Sequence, residues 1–188
     1  MEADFEPLSA ACRPGVAGIV PEEFDAIVRQ NQRRIFRILF LFVRDADAAD
    51  SLTQDCFLRA FNHRGRFRGE CSLETWLIRI AVNLARDHAK SRRRAFWARL
   101  LRGDAALARG AEDPHLSPEA LLMAREEVTA LWSAVGELPH RQKSVFVLHF
   151  AEEMTLDEIA AALEIQPGTV KSHLSRALEA VRRRLQEQ

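Results

Sequence analysis

The sequence is poor in cysteine. Its 188 residues contain only three, Cys12, Cys56 and Cys71, and none of them forms a C-x-x-C pair. An odd number without that spacing argues against a disulfide framework and fits a reduced, cytosolic compartment. Cys56, His63 and Cys71 follow one another at seven and then eight residues, which matches no usual zinc pattern. We therefore expect Cys56 to be a buried structural residue, and we expect no bound metal.

Long apolar runs and catalytic motifs are also missing. No stretch reaches the roughly 18 apolar residues of a membrane-spanning helix, and the first residues lack the pattern of a secretory signal. The sequence has no phosphate-binding glycine loop, no nucleophile motif and no paired acids in a strand pattern. These absences argue against membrane insertion, export and catalysis. We therefore expect no enzyme activity, no cofactor and no small-molecule substrate.

Net charge is absent as well, because 27 basic residues balance 27 acidic ones. Taken alone, this balance would argue against a nucleic-acid partner, but the charges are segregated. Residues 59–102 contain twelve Lys or Arg and three Asp or Glu, whereas residues 45–55 contain four Asp and no basic residue. Residues 103–127 are acidic again, with six acids and two arginines. Such blocks predict different partners for different faces of the protein.

The alternation typical of strands is lacking throughout, and helical periodicity takes its place. Helical segments are predicted to begin at or near Pro21, Asp47, Ser72, Ser117 and Pro139. Residues 63–71, HRGRFRGEC, separate the second and third helices and are predicted to form a loop. We predict an all-α fold of two small helical domains: a flexible tail over 1–19, a first domain over 20–100, a flexible linker over 101–117 and a second domain over 118–188.

Residues 155–185 contain the most informative motif, a helix-turn-helix. Thr155 and Glu158 match a capping box at the start of its first helix, and Pro167 suits the first turn of its second helix. One face of the second helix is predicted to be a buried stripe of Val170, Leu174, Leu178, Val181 and Leu185. Its outer face carries short donors and cations suited to a major groove: Thr169, Lys171, Ser172, Ser175 and Arg176. A packed helical hairpin without DNA binding would show the same apolar pattern.

Three runs in a fixed order resemble a known family: residues 47–61, 67–94 and 138–185. They are similar to the extracytoplasmic-function (ECF) RNA polymerase sigma factors, the two-domain branch of the sigma-70 family. The resemblance covers about residues 21–95 and 118–186. It implies a cytoplasmic protein that binds core RNA polymerase, recognises the −10 and −35 elements of promoter DNA and melts that DNA. It further implies an anti-sigma factor as a partner.

The resemblance assigns the second helix to docking on the clamp helices of the largest polymerase subunit. Asp50, Gln54 and Asp55 lie close together on the solvent side of this helix. They would offer carboxylate and amide acceptors to arginines of the polymerase. An ordinary solvated acidic face would carry the same residues.

The loop and the third helix are implied to bind the −10 element. Opening a promoter requires cations for the phosphates and a surface for an exposed base, and the loop offers Arg64, Arg66, Phe67 and Arg68. By resemblance, Asn83 faces the −10 element, and the DNA backbone is lined by Arg79, Arg86, Lys90 and Arg92–Arg94. The three consecutive arginines could instead be a solvated helix end. Trp76 is assigned to the core, because large aromatics at helical spacing usually pack there.

The sequence departs from the family at Glu164, where glycine is usual in the turn of the helix-turn-helix. A non-glycine residue in a left-handed backbone costs on the order of 1 kcal/mol, unless the turn is different. The tail and the Arg-rich segment 92–102 have no family role that we can assign.

Three hypotheses are weighed. The first is a sigma factor, favoured by the acidic second helix and by the basic block that follows it. The second is a stand-alone helix-turn-helix transcriptional regulator with a sensing N-terminal domain. The third is a helical interaction module, which would not explain the groove-suited face of the last helix.

Overall fold

The computed structural model describes residues 19–100 and 120–187, with side chains described for 19–91 and 128–187. Every regular element within those ranges is helical, in agreement with the predicted all-α fold. The predicted tail, the linker and the proposed helix start at Ser117 lie outside the described residues. The seven α-helices within these ranges are α1 (Phe24–Val43), α2 (Ala46–His63), α3 (Leu73–Leu100), α4 (Ala120–Gly136), α5 (His140–Phe150), α6 (Leu156–Leu163) and α7 (Pro167–Gln186).

Local sequence sets the boundaries of the first helices. Pro21 opens a short 3-10 turn that leads into α1. Asp45 caps α2 by accepting a hydrogen bond from the backbone N–H of Ala48 at 2.9 Å. Ser72 caps α3 as predicted, since its Oγ accepts a hydrogen bond from the backbone N–H of Thr75 at 3.1 Å. These caps satisfy N–H groups that have no partner inside their own helix.

The helix-turn-helix forms as predicted. Thr155 and Glu158 make the reciprocal capping box at the start of α6, and these hydrogen bonds lower the pKa of the Glu158 carboxyl. Glu164 ends α6 in the left-handed conformation, with φ 54° and ψ 47°. The turn thus keeps the backbone shape that glycine would favour, although the residue is a glutamate. Pro167 begins α7.

Most of the predicted apolar faces are buried. Leu52, Cys56, Phe57 and Ala60 of α2 all point into the core. The thiol of Cys56 lies 3.6 Å from the carbonyl oxygen of Leu77 and donates to it. Burial raises the pKa of this thiol to about 12, which fits a structural cysteine that stays protonated.

Three residues differ from the predicted core. Leu185 remains 40% exposed because it lies in the last turn of α7, beyond the helices that cover the rest of its stripe. Trp76 is only half-buried and packs at the edge of the core. Ala177 is fully buried on α7 and was not in the predicted stripe.

The two predicted halves pack directly against each other. Ile38 of α1 and Leu77 of α3 belong to one buried cluster with Val145 of α5, Ile159 of α6 and Val170 of α7. A second cluster joins α4, α5 and α7 around Val147. Within the described ranges, none of the helices has the length and apolar character needed to cross a membrane.

Candidate polymerase and promoter interfaces

The solvent side of α2 carries the residues predicted to dock on polymerase, Asp50, Gln54 and Asp55, which we call the α2 acidic face. All three are exposed, and the side-chain amide of Gln54 donates to Asp50 Oδ2 at 2.8 Å. Among the described side chains, neither aspartate has an ion-pair partner. The opposite side of α2 packs on α1 and α3, so burial there turns these acceptors outward.

An apolar residue that sequence reasoning missed lies on the same side of α2. Leu58 is 59% exposed and follows Asp50 and Gln54 at intervals of four, which places all three on one stripe of the helix. Its spacing could have revealed it, because the buried positions of α2 leave it on the solvent side.

The loop between α2 and α3 presents only part of the predicted set. Arg64 turns back onto its own helix, where it donates to the carbonyl oxygen of Phe61 at 2.7 Å and lies 4.0 Å from the centre of that ring. It therefore shapes the loop, together with Gly69 in a left-handed conformation at φ 70°. Arg66 and Arg68 are exposed. Arg68 lies 4.0 Å from Glu70, and both of these side chains are largely exposed to solvent.

The loop aromatic Phe67 is half-buried and packs against Trp76, with 5.3 Å between the ring centres. This contact is a tilted aromatic pair, which holds the Phe67 ring at the foot of α3. Part of the ring stays accessible and could stack on a base.

A stripe of polar residues runs along α3 at intervals of four, three and four: Arg79, Asn83, Arg86 and Lys90. We call it the α3 basic stripe. The structure brings these four predicted −10 residues onto one side of the helix, as the helical repeat requires. Arg92–Arg94 lie on the same helix, but their side chains are outside the described set.

Arg79 of this stripe is engaged by the second half of the chain. It donates to the carbonyl oxygens of Ala161 at 2.6 Å and Ala162 at 3.4 Å, and it pairs with Glu164 Oε1 at 2.6 Å. These carbonyls lie at the C-terminal end of α6, where oxygen atoms lack helical partners and a cation is favoured. The same contact anchors the unusual glutamate of the turn.

A second polar contact between the halves is centred on Glu152, which precedes α6. Its side chain is only 1% exposed and accepts from Arg34 Nε at 2.8 Å and Arg37 Nε at 2.9 Å. The hydrogen bond to Glu152 raises the pKa of Arg37. A buried carboxylate needs such cations because an unpaired charge is costly inside a protein. Sequence reasoning did not identify this residue, because nothing local distinguishes it from an exposed glutamate.

A buried lysine makes the third polar contact between the halves. Lys143 of α5 donates its Nζ proton to the carbonyl oxygen of Phe42 at 2.8 Å. Burial, together with the nearby Arg44, lowers the pKa of Lys143 to about 8. The sequence predicted only that a helix begins at Pro139, so this contact was also missed.

The outer face of α7, made of Thr169, Lys171, Ser172, Ser175 and Arg176, is exposed at every position. Val170 and Ala177 are fully buried on the opposite side and fix the rotation of the helix. Ser172 donates to the carbonyl oxygen of Gly168 at 2.9 Å. Arg176 makes no ion pair with Glu179 or any other described residue. Its guanidinium is therefore available to a partner outside the chain.

Two family models match the chain. Sigma-70 region 2 matches residues 27–95, which include α2, the loop and most of α3. Sigma-70 region 4 matches residues 129–181, which include the helix-turn-helix.

Individual relatives agree with the family models. The RNA polymerase sigma-H factor of Pseudomonas aeruginosa is 33% identical over 171 residues, which cover 87% of this chain and 86% of the relative. The ECF RNA polymerase sigma-E factor of Escherichia coli is 28% identical over 166 residues, covering 87% and 86% respectively. Both relatives are therefore matched along most of their length, not in one motif alone.

Solved structures share the fold. The sigma factor RpoE of Bartonella quintana, in complex with the anti-sigma factor NepR, has a TM-score of 0.67 at 20% identity and is matched over 98% of its chain and 88% of this one. CnrH, in complex with the cytosolic domain of CnrY, has a TM-score of 0.62 at 21% identity, over 90% of its chain and 89% of this one. With these matches and the geometry above, the chain belongs to the ECF branch of the sigma-70 family and is a transcription initiation factor that directs RNA polymerase to promoters.

Proposed function

We propose that this sigma factor divides its work between two domains, residues 20–100 and 118–188, joined by a linker over 101–117. The first domain binds core polymerase and the −10 element, and the second binds the −35 element. The observation that carries this proposal is the pair of exposed faces on α2 and α7, which have opposite chemistry and lie in different domains. The stand-alone regulator is less favoured, because a regulator of that kind has no need of a region 2 domain.

The α2 acidic face is the proposed docking surface for core polymerase. Asp50 and Asp55 carry uncompensated negative charge, and an arginine-bearing partner would gain bidentate hydrogen bonds from them. Leu58 adds apolar area one turn further along the helix. A polar surface with a central apolar side chain is the usual composition of a specific interface.

Promoter opening is assigned to the loop and the α3 basic stripe. Arg66 is free to contact phosphates, Arg68 can exchange its exposed 4.0 Å ion pair with Glu70 for a phosphate, and the accessible part of Phe67 can stack on an exposed base. Asn83 has no hydrogen-bond partner among the described residues, so its amide is available to a base edge. Arg64 supports this site indirectly, by holding the loop against Phe61.

The outer face of α7 is the proposed reader of the −35 element. A recognition helix that enters the major groove N-terminus first brings Thr169, Lys171 and Ser172 nearest the bases. Ser175 and Arg176 follow one turn later, close to bases or phosphates. The unpaired guanidinium of Arg176 supports its place as the principal DNA contact.

Use of the α3 basic stripe requires the two halves to separate. Arg79 cannot donate to DNA while its guanidinium is occupied by the C-terminal end of α6. The arrangement described is therefore a closed state, and polymerase and promoter would favour an open one by binding it more tightly. An anti-sigma factor, like NepR in the related RpoE complex, would hold the protein inactive in the cytoplasm, where polymerase and promoter meet.

Reconstituted transcription tests the proposal. The purified chain is mixed with core polymerase and a library of promoter fragments, and run-off transcripts are sequenced. We expect transcripts that start at a shared pair of −10 and −35 sequences and that disappear without the chain. A chain that binds one DNA element but supports no run-off transcript would contradict the proposal and favour the stand-alone regulator.

A further inference from the structure

A polar cleft lies where the two halves meet. Its volume is about 260 Å³, well above the roughly 30 Å³ that one water molecule occupies. The polar residues that matter for its chemistry come from both halves: Arg79, Asn83 and Arg86 of α3, His140 and Arg141 of α5, and Glu164 after α6.

The charges in this interdomain cleft are unbalanced. Three arginines face one carboxylate, and that carboxylate, Glu164, is already paired with Arg79 at 2.6 Å. Arg86 is paired with Asp87 of its own helix at 3.6 Å. Arg141 therefore remains as a cation of the cleft with no ion-pair partner among the described residues.

Some donors of the cleft lack hydrogen-bond partners. The Nε atom of Arg86 is buried and makes no hydrogen bond, although it forms an ion pair with Asp87 Oδ1 at 3.6 Å. Arg141 is an exposed residue of the cleft lining and has no partner among the described side chains, and the amide of Asn83 has none either. The guanidinium of Arg141 and the amide of Asn83 are therefore donors available to a bound anion.

The state of His140 reports the same positive field. Burial, followed by the nearby charges of Arg86, Lys143, Arg141 and Lys90, lowers the pKa of His140 to about 4. The ring is therefore neutral at physiological pH and adds a hydrogen-bond donor without adding a fourth cation.

We infer that the interdomain cleft is a binding site for a small phosphate anion of about the size of pyrophosphate. Guanidinium groups bind phosphate oxygens through paired, charge-assisted hydrogen bonds. Arg86 supplies such a group from α3 and Arg141 supplies one from α5, and Asn83 supplies an amide donor three residues before Arg86 on α3. The volume exceeds that of a single water site, and the walls are predominantly polar.

Because both halves contribute donors, the anion binds the closed state only. Binding then stabilises that state in proportion to the ligand concentration. It also occupies part of the α3 basic stripe, so it competes with promoter DNA. That last consequence rests on the proposed function, whereas the binding itself does not.

Binding is measured on the purified full-length chain, without polymerase or DNA, by titrating pyrophosphate in a calorimeter and by NMR of the His140 ring and the Asn83 amide. Sodium chloride at matched ionic strength is the blank, and orthophosphate tests whether one phosphate group suffices. We expect saturable binding of pyrophosphate, weaker binding of orthophosphate, and shifts of both reporter signals. A response to pyrophosphate no larger than that to sodium chloride would overturn the inference.

Variants locate the site. Arg141→Ala should weaken pyrophosphate binding by about tenfold, since it removes a charge-assisted hydrogen bond, and Arg141→Lys should restore part of the affinity. Arg182→Ala is the matched control, because it removes an exposed arginine that does not line the cleft. Arg182 lies about 22 Å along α7 from Pro167, the end of the helix that follows the cleft residue Ile165, at ~1.5 Å per residue. Equal losses in Arg141→Ala and Arg182→Ala would show diffuse attraction to basic surface and would refute a cleft site. Circular dichroism checks that each variant is folded.

Discussion

The two surfaces proposed to read DNA differ in how accessible they are. The outer face of α7 is exposed at all five positions, whereas the α3 basic stripe is turned toward the second half of the chain and loses Arg79 to the end of α6. Both have the composition of a nucleic-acid surface. The difference teaches that charge determines which partner a face attracts, while packing determines when the face is available.

The α2 acidic face extends this comparison, because it is open in the closed state. Replacing both aspartates, Asp50→Arg with Asp55→Arg, should weaken binding to core polymerase by about 100-fold or more, since like charges across an interface cost several kcal/mol. The fold should be unaffected, because exposed substitutions change stability by about 0.5 kcal/mol or less. A pull-down with core enzyme measures the effect.

A matched control for this pair is Glu22→Arg with Glu23→Arg. It makes the same charge change at two exposed positions of the same domain. If both double variants lose affinity equally, the α2 acidic face has no special role in docking.

The contact between the two halves, which keeps the α3 basic stripe covered, can be weakened by one substitution. Glu152→Gln should lower the free energy of unfolding by about 1–3 kcal/mol, because it replaces a charged acceptor of two arginines with a neutral amide. It should also increase the population of open molecules, seen as a larger radius of gyration in X-ray scattering. Urea denaturation gives the stability.

Glu153→Gln is the control for Glu152→Gln, since Glu153 is the exposed neighbour of Glu152. We expect Glu153→Gln to behave as the unsubstituted protein in both measurements. An unchanged radius in Glu152→Gln, despite reduced stability, would mean that the apolar contacts between the halves suffice to keep them closed.

The loop and the α3 basic stripe should contact promoter DNA once the two halves have separated. Phe67→Ala and Asn83→Ala should each reduce open-complex formation by about 1–3 kcal/mol, the usual loss for a stacking or base-edge contact. Holoenzyme assembly should stay normal. Permanganate footprinting on a target promoter measures the melted bases, and unsubstituted reactivity in both variants would move the site elsewhere on the first domain.

The exposed surface can be tested with one residue. Arg176→Ala should relax selectivity at one promoter position if the guanidinium contacts a base. If it contacts phosphate, affinity should fall at all sequences, and the salt slope should decrease by about one. Binding to single-base promoter variants at several salt concentrations distinguishes the two, and no change in either quantity would remove Arg176 from the interface.

The smallest expected effect concerns pH. The pKa of His140 is lowered from 6.5 to about 4 in the folded chain. Between pH 6.5 and pH 4 the unfolded chain therefore binds a proton at His140 more readily than the folded chain does. The contribution of a neutral His140 to stability is therefore present above pH 6.5 and is lost as pH falls toward 4. His140→Gln should have a flatter stability profile in that window. His63→Gln, at an exposed position, serves as the control.

Much of the fold could be predicted because its signals are local. The capping box at Thr155, the cap at Ser72 and the proline at the start of α7 depend on neighbours a few residues away. The α2 acidic face and the outer face of α7 follow equally from the helical repeat, since burial of one side leaves the other exposed. The prediction that Leu185 is buried was wrong, because this residue lies in the last turn of α7, beyond the helices that cover the rest of the stripe.

Contacts between distant residues could not be predicted in this way. Glu152 and Lys143 look like ordinary surface charges in the sequence, yet each is buried against the other half of the chain. Arg79 was predicted to contact the −10 DNA, whereas its ion-pair partner in the structure lies 85 residues away. Glu164 combines a local signal with a distant contact. A non-glycine residue at this position predicted a strained turn, and only the fold shows that Arg79 is paired with it.

The sequence by itself determined the helices, their buried faces and the family, because these depend on short-range periodicity and on motifs in a fixed order. The tertiary structure alone decided how the halves meet, which charges lie between them and where the interdomain cleft forms. The physical reason is that packing two apolar surfaces brings together polar groups from both, and each of those groups must then find a partner at a distance that no local pattern records.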